Sequence, residues 1–154
     1  MNQNHLSRRK AMQLMSLTVL GSLAIPVSSY SGTNYNDFFD EETGTIHIKK
    51  GEGKIGKIGG IDLISKLSKH QTSGNLGCDE ATLKPGFLGA PPHMHKNFDE
   101  ICYVLEGSVT IMVEEKIFQV NAGDWHLRPR NKIHTFWNSS ESPARFIDIY
   151  SRGT

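Results

Sequence analysis

The feature that most constrains the fold is a succession of short apolar runs along the C-terminal part of the chain, each closed by turn-forming residues. The runs cover residues 101–105, 109–113, 117–120, 125–128, 133–137 and 144–150. Strand-length runs with Gly, Pro and Asn turns at this spacing predict an all-β sandwich or barrel. No segment after residue 29 shows a convincing helical period, and Ile61–Leu67 is too short to count as one. Gly51–Gly56 fits a nucleotide-binding glycine pattern, but without a following helix it is interpreted as a flexible loop.

The N-terminus has the pattern of an export signal. Ser7-Arg8-Arg9-Lys10 precedes an apolar run over residues 14–25, which Pro26 and small residues follow. This run is shorter than the roughly 20 apolar residues of a membrane span. The paired arginines resemble a twin-arginine signal, and a general secretory signal remains the alternative. We therefore expect an export signal over residues 1–29, a linker over 30–44 and one barrel domain over 45–154, with the mature protein in the periplasm and free of membrane.

The charge balance argues against a nucleic-acid partner, and the cysteine count leaves a disulfide undecided. Lys and Arg total 17 and Asp and Glu total 16, so the net charge is +1 and no basic stripe follows the chain. We expect no nucleic-acid partner. Outside the cytoplasm Cys78 and Cys102 could form a disulfide, but spacing alone does not decide this.

Three side chains in a short segment have the chemistry of metal ligands. Residues two apart in a strand share a face, so His93 and His95 are predicted to point the same way. A loop at residues 96–99 then allows Glu100 to open a new strand facing the same cavity. His134, two residues into a later apolar run between turns, is placed to be a fourth ligand. Imidazoles and a carboxylate converging inside a barrel indicate a first-row transition metal site.

These stretches resemble the two sequence motifs of the cupin superfamily. The first motif corresponds to His93, His95, Glu100 and Gly107, and the second to Gly123, Pro129, His134 and Asn138. Two positions depart from the pattern: Gly86 lies one residue too far from His93, and Asn131 replaces a glycine. Asn tolerates a positive φ better than most residues, so that turn can persist. The resemblance implies a small double-stranded β-helix, the cupin jelly-roll barrel.

The resemblance also implies a cofactor and an activity. His93, His95, Glu100 and His134 would hold one divalent metal, which this ligand set does not restrict among Fe, Mn, Ni, Cu and Zn. Within the superfamily the motifs are similar to those of quercetin 2,3-dioxygenase-type and other small single-domain cupins. That similarity implies oxygen-dependent chemistry on a small enol or catechol-like substrate, with Glu100 also acting as a catalytic base.

Several other residues have expected roles. Phe98, Cys102 and Phe136 are candidates to line the pocket, because the last two lie two residues beyond a ligand and Phe98 lies in the ligand loop. His126 and Arg128 face either solvent or the cavity. The strand around Ile46–Lys49 could pair with a second copy, which predicts a homodimer.

Two alternatives to a dioxygenase-like enzyme remain. One is a non-catalytic module that binds a metal or small ligand. The other is a metal-assisted isomerase or decarboxylase, which would require Arg128 or Arg130 to clamp a substrate carboxylate.

Overall fold

The computed structural model describes residues 39–40 and 44–152. This part of the chain contains twelve strands and one 3-10 helix at Lys69–Thr72. The strands are β1 (Phe39–Asp40), β2 (Thr45–Ile46), β3 (Lys54–Ile58), β4 (Ile61–Leu67), β5 (Leu76–Leu83), β6 (Leu88–His93), β7 (Phe98–Glu106), β8 (Ser108–Val113), β9 (Lys116–Asn121), β10 (Trp125–Arg128), β11 (His134–Trp137) and β12 (Ala144–Arg152). Among the described residues no helix has the length and apolar character needed to cross a membrane.

The strands form two main antiparallel sheets and one small ribbon. The larger sheet has the order β10-β7-β12-β5-β4-β3, and the smaller has the order β6-β11-β8-β9. β1 pairs only with β2. The two main sheets confirm the all-β jelly-roll barrel that the sequence predicted.

The core lies between the inner faces of the two sheets. Leu83, Val104 and Phe146 contribute from the larger sheet, and Val109 and Ile111 from the smaller, all with at most 1% exposure. Successive side chains of a strand alternate between faces, so β12 places every second residue inward from Ala144. That alternation also places Asp148 on the inner face, where it is 4% exposed.

One expectation about the first half of the barrel was wrong. Lys54–Ile58, which overlaps the glycine-rich segment interpreted as a flexible loop, is a strand that pairs with β4 over its full length. Ile61–Leu67, which was not expected to be a helix, is a strand that pairs with β5. Hydrogen bonds to neighbouring strands, which a local pattern does not reveal, stabilise both segments.

The N-terminal expectations lie mostly outside the described residues. The export signal at residues 1–29 is outside them entirely, and the linker is described only at residues 39–40 and 44. Within the linker range, Phe39–Asp40 pairs with Thr45–Ile46. Residues 47–49, the rest of the segment proposed as a dimer edge, are outside strands.

Cys78 and Cys102 are both free. Cys78 lies opposite Ile149 and Cys102 lies opposite Asp148, on the two strands that flank β12. Because consecutive residues of a strand point to opposite faces, the two thiols are on opposite sides of the sheet. This placement is incompatible with a disulfide between them.

Candidate metal centre

The four predicted ligands meet at one end of the barrel. His93 is the last residue of β6 and His134 is the first of β11, and the two residues are direct partners across these strands. Glu100 is the third residue of β7, which begins at Phe98 rather than at Glu100. His95 lies in the loop between β6 and β7, so this loop, not strand alternation, brings it beside His93. The backbone N–H of Asn131 donates to the carbonyl of His95 at 2.7 Å and ties that loop to the turn before β11.

The ligand atoms are close enough for a single ion. One donor atom from each of the four side chains lies within 4.8 Å of the other three. Opposite ligands of an ion with bonds of about 2.1 Å are about 4.2 Å apart, so small side-chain adjustments suffice. The structure therefore brings together a three-histidine, one-glutamate cluster that can hold a metal.

Two imidazole rings are oriented by the backbone. Nδ1 of His93 is 2.7 Å from the carbonyl oxygen of Pro91, and Nδ1 of His134 is 3.1 Å from that of Lys132. If each Nδ1–H donates to its carbonyl, each Nε2 keeps a free lone pair. A metal-binding histidine commonly uses its second nitrogen in this way.

The contacts of His134 give a test of whether a cation fits this site. Its Nε2 is 3.1 Å from Oε2 of Glu100, while its Nδ1 also faces an acceptor. A neutral imidazole has one N–H and can donate to only one of the two. A cation between Nε2 and Oε2 would remove the conflict, and Nε2 of His95, 3.4 Å from the same Oε2, is in position to join it.

A buried ion-pair network lies behind Glu100. Arg128 is 1% exposed; its Nη2 is 3.5 Å from Oε1 of Glu100 and donates a short hydrogen bond to Oδ1 of Asp148. Nε and Nη1 of Arg128 are buried without a hydrogen-bond partner among the described residues. Since Arg128 attracts Oε1, it leaves Oε2 directed at the histidines.

The electrostatics of the site favour the protonation states that a metal needs. Burial opposes ionisation of Glu100, but the hydrogen bond from His134 and the charge of Arg128 outweigh it and lower its pKa. Burial lowers the pKa of His95 despite the opposing charge of Glu100. A charged carboxylate and a neutral imidazole are the ligating forms of these side chains. Burial raises the pKa of Asp148 to about 7, although Arg128 acts against this shift.

A cavity of about 180 Å³ opens beside the cluster. His93, His95 and Glu100 form part of its wall, and most of the rest is apolar. The other lining residues are Ile58, Ile61, Leu63, Ala81, Gly89, Ala90, Phe136, Phe146, Asp148 and Tyr150. The site therefore combines candidate metal ligands with an apolar chamber.

The residues expected to line the pocket lie in three different places. Phe136 lines the cavity. Phe98 stacks on the ring of His95 at 4.1 Å between centroids and is outside the cavity wall. Cys102 is 1% exposed and belongs to the hydrophobic core.

The two cations considered for a substrate clamp are already paired. Arg128 contacts Glu100 and Asp148, and Arg130 forms two side-chain hydrogen bonds to Asp99. His126 packs edge-to-face on Phe118 at 4.8 Å. None of these three side chains lines the cavity.

Sequence reasoning missed the contribution of β12. Three alternate residues of β12, Phe146, Asp148 and Tyr150, line the cavity. The signal was present, because a charged residue at an inward position of an alternating strand needs a buried partner. Only the registers of β10 and β12 against β7 show that this partner is Arg128, which lies beside Glu100.

Comparison with known proteins shows what this chain is similar to. Residues 79–150 match the family model described as the cupin domain. Germin-like protein subfamily 2 member 2 of Arabidopsis thaliana is 33% identical over 72 residues, which are 44% of this chain and 32% of that protein. The chain thus spans about a third of the length of this curated relative.

Solved structures agree on the fold. A predicted oxalate decarboxylase from Thermotoga maritima has a TM-score of 0.65 at 19% identity, over 70% of this chain and 100% of that one. KdgF from Halomonas sp. has a TM-score of 0.59 at 21% identity, over 70% and 94% of the two chains. An RmlC-like cupin from Shewanella frigidimarina gives 0.59 at 23% identity, over 71% and 93%. Residues 79–150 of the protein thus match the cupin domain, and its barrel has the fold of solved cupins. A candidate metal site of three histidines and one glutamate lies at one end of that barrel.

Proposed function

We propose that the protein is a metal-dependent, dioxygenase-like cupin enzyme that acts on a small enol or catechol-type substrate. The observation that carries this proposal is the position of His93, His95 and Glu100 in the wall of a largely apolar cavity. A binding module needs only the metal ligands. An enzyme also needs a pocket of suitable size and lining in which a substrate can meet the metal.

The size of the cavity supports a substrate of about one aromatic ring. A protein cavity of about 150 Å³ lined by Leu, Ile and Phe holds benzene. The cavity here measures about 180 Å³ and is lined by Ile61, Leu63, Phe136 and Phe146 among others. A catechol-sized molecule fits this volume, whereas a flavonoid with three rings would need the mouth to open.

The chain's own residues would orient the substrate and handle its proton. A divalent transition metal bound here would act as a Lewis acid and redox centre toward a chelating hydroxyl or enol. Phe136 and Phe146 would hold the apolar part of the substrate. Glu100, which its lowered pKa keeps ionised, could accept a hydroxyl proton at Oε2 when its bond to the metal loosens. The positions of Arg128 and Arg130 disfavour a carboxylate-clamping isomerase or decarboxylase, since each is ion-paired and neither lines the cavity.

Elemental analysis and an oxygen-uptake assay test this proposal together. We expect one metal per chain in the wild type, loss of that metal in His134→Ala, and retention in the control His70→Ala, because His70 is exposed and outside the cluster. Oxygen uptake should then occur when catechol or a small enol is added to metal-loaded protein, and not when either is added to metal-free protein. Metal binding without any turnover would favour the binding module. Equal turnover with and without oxygen would exclude a dioxygenase, and absence of metal would overturn the proposal.

Export and assembly are parts of the proposal that rest on sequence. A twin-arginine signal would allow the protein to fold around Mn or Fe in the cytoplasm before export. Replacement of Arg8 and Arg9 by Lys should then stop export, and periplasmic protein that carries only Zn or Cu would contradict this route. Size-exclusion chromatography of the mature protein tests the expected homodimer.

A further inference from the structure

A second concave surface lies next to the metal centre and has the opposite character from the cavity. It is a cleft of about 560 Å³ lined by Lys69, Gly74, Lys96, Asn97, Arg130 and Arg152. Four of these six residues are cations, and none of the described residues that line the cleft is acidic. We refer to it as the basic cleft.

Three of the four cations of the basic cleft are not paired with an acid in the part of the chain that the structure describes. Arg130 is paired with Asp99 at 2.7 Å. Lys69, Lys96 and Arg152 form no ion pair with an acidic side chain within residues 39–40 and 44–152. The protein as a whole has a net charge of only +1, so this local excess does not reflect composition. Cations grouped in a concave surface repel one another and concentrate anions from solution.

The cations come from four separate parts of the fold. Lys69 lies in the 3-10 helix, Lys96 in the β6–β7 loop, Arg130 in the turn after β10, and Arg152 at the end of β12. Two backbone contacts fix this arrangement: the N–H of Asn131 to the carbonyl of His95, and the N–H of Arg152 to the carbonyl of Asn75. The cleft is therefore built on connected elements, not on one exposed run of lysines.

One aromatic ring connects the basic cleft to the metal ligands. Nζ of Lys69 lies 3.9 Å from the centroid of Phe98, and the ring of His95 stacks on Phe98 at 4.1 Å. Phe98 therefore contacts both a cation of the cleft and a predicted metal ligand. Lys96 also follows His95 directly in the chain. An anion in the cleft would therefore lie close to the metal centre without entering the cavity.

We infer that the basic cleft is a binding site for the oxyanion group, a carboxylate or phosphate, of a small molecule. Ammonium and guanidinium groups form charge-assisted hydrogen bonds to such oxygens. The few lining residues suit one or two anionic groups rather than a polymer. This site goes beyond the proposed function, because it lies outside the cavity and does not require the metal.

Titration with inorganic phosphate and with succinate, followed by amide NMR, tests the inference. Both probes should shift the N–H signals of Gly74 and Asn97 saturably, and added salt should weaken binding. Lys96→Ala combined with Arg152→Ala should weaken binding roughly tenfold or more, since each removes a charged hydrogen-bond donor. Lys116→Ala removes a lysine on β9, outside the cleft, and should leave binding unchanged.

The same titration in the His134→Ala background separates this inference from the proposed function. Phosphate that still binds there occupies the cleft and not the metal. Binding of phosphate but not succinate would assign a phosphate site, and binding of both would assign a general oxyanion site. The inference is overturned if the shifts do not saturate, or if the cleft variant binds both probes as tightly as the Lys116→Ala control.

Discussion

Replacing Arg128 by Met tests whether the buried ion-pair network holds the metal end of the barrel together. The substitution keeps an extended side chain against Phe136, whose ring centroid is 5.1 Å from the guanidinium carbon of Arg128. It removes the positive charge that faces Glu100 and Asp148, each only 4% exposed. Loss of one partner from a buried ion pair costs about 3–5 kcal/mol, because the remaining charge is uncompensated.

The stability that Arg128→Met loses should be greater at high pH than at low pH. Burial raises the pKa of Asp148 from its ordinary 3.8 to about 7, so between these values the folded state binds more protons than the unfolded state. The contribution of Asp148 to stability therefore falls as pH rises through this window. Near pH 5 Asp148 is protonated in both proteins, so loss of Arg128 leaves no uncompensated charge on it. Near pH 8 the wild type has an ionised Arg128–Asp148 pair to lose. We therefore expect Arg128→Met to lower the free energy of unfolding most near pH 8 and clearly less near pH 5.

Urea denaturation of wild type and variant at both pH values measures this effect. Arg145→Met is a matched control, because Arg145 also pairs with two acids, Glu80 and Glu106, but its side chain is 31% exposed. Exposed pairs contribute about 1 kcal/mol or less. A loss in Arg128→Met no greater than in this control, or a greater loss at pH 5 than at pH 8, would refute the reasoning.

Three further substitutions test other parts of the structure. Partial burial opposes ionisation of Glu80, but the hydrogen bonds from Arg145 and Lys66 outweigh burial and lower the pKa of Glu80. Glu80→Gln should therefore lower the free energy of unfolding by under about 1 kcal/mol at pH 7. The stability difference between wild type and Glu80→Gln should disappear as the pH falls below 4.5, the ordinary pKa of a glutamate. A difference that persists in thermal melts at pH 3 would contradict this prediction. Gly89→Ala would place a Cβ 2.0 Å from the Phe136 ring and should cost about 1–3 kcal/mol in urea, with partial recovery when Phe136→Leu is added. Asn131 has a φ of +61°, so Asn131→Ala should cost about 1 kcal/mol by thermal denaturation and Asn131→Gly much less; equal effects would argue against backbone strain.

The sequence by itself determined the barrel class and the four candidate ligands. Alternating apolar runs with turn residues dictate antiparallel strands, whatever they pair with. The ligands occur in two short motifs, and local geometry holds each motif together: His93 ends one strand, Glu100 lies in the next, and His134 begins a third. The positive φ of Asn131 was also readable from sequence, because few residue types adopt it.

Only the tertiary structure decided what surrounds those ligands. Arg128 and Asp148 are 20 residues apart, and the order β10-β7-β12 brings them to the two sides of Glu100. Four cations between residues 69 and 152 meet in the basic cleft for the same reason. Strand order and register depend on which segments pair over long separations, and alternation within one strand carries no information on its neighbours. The metal ligands were therefore visible in the sequence, whereas the ion-pair network, the cavity and the basic cleft became visible only once the strands were paired.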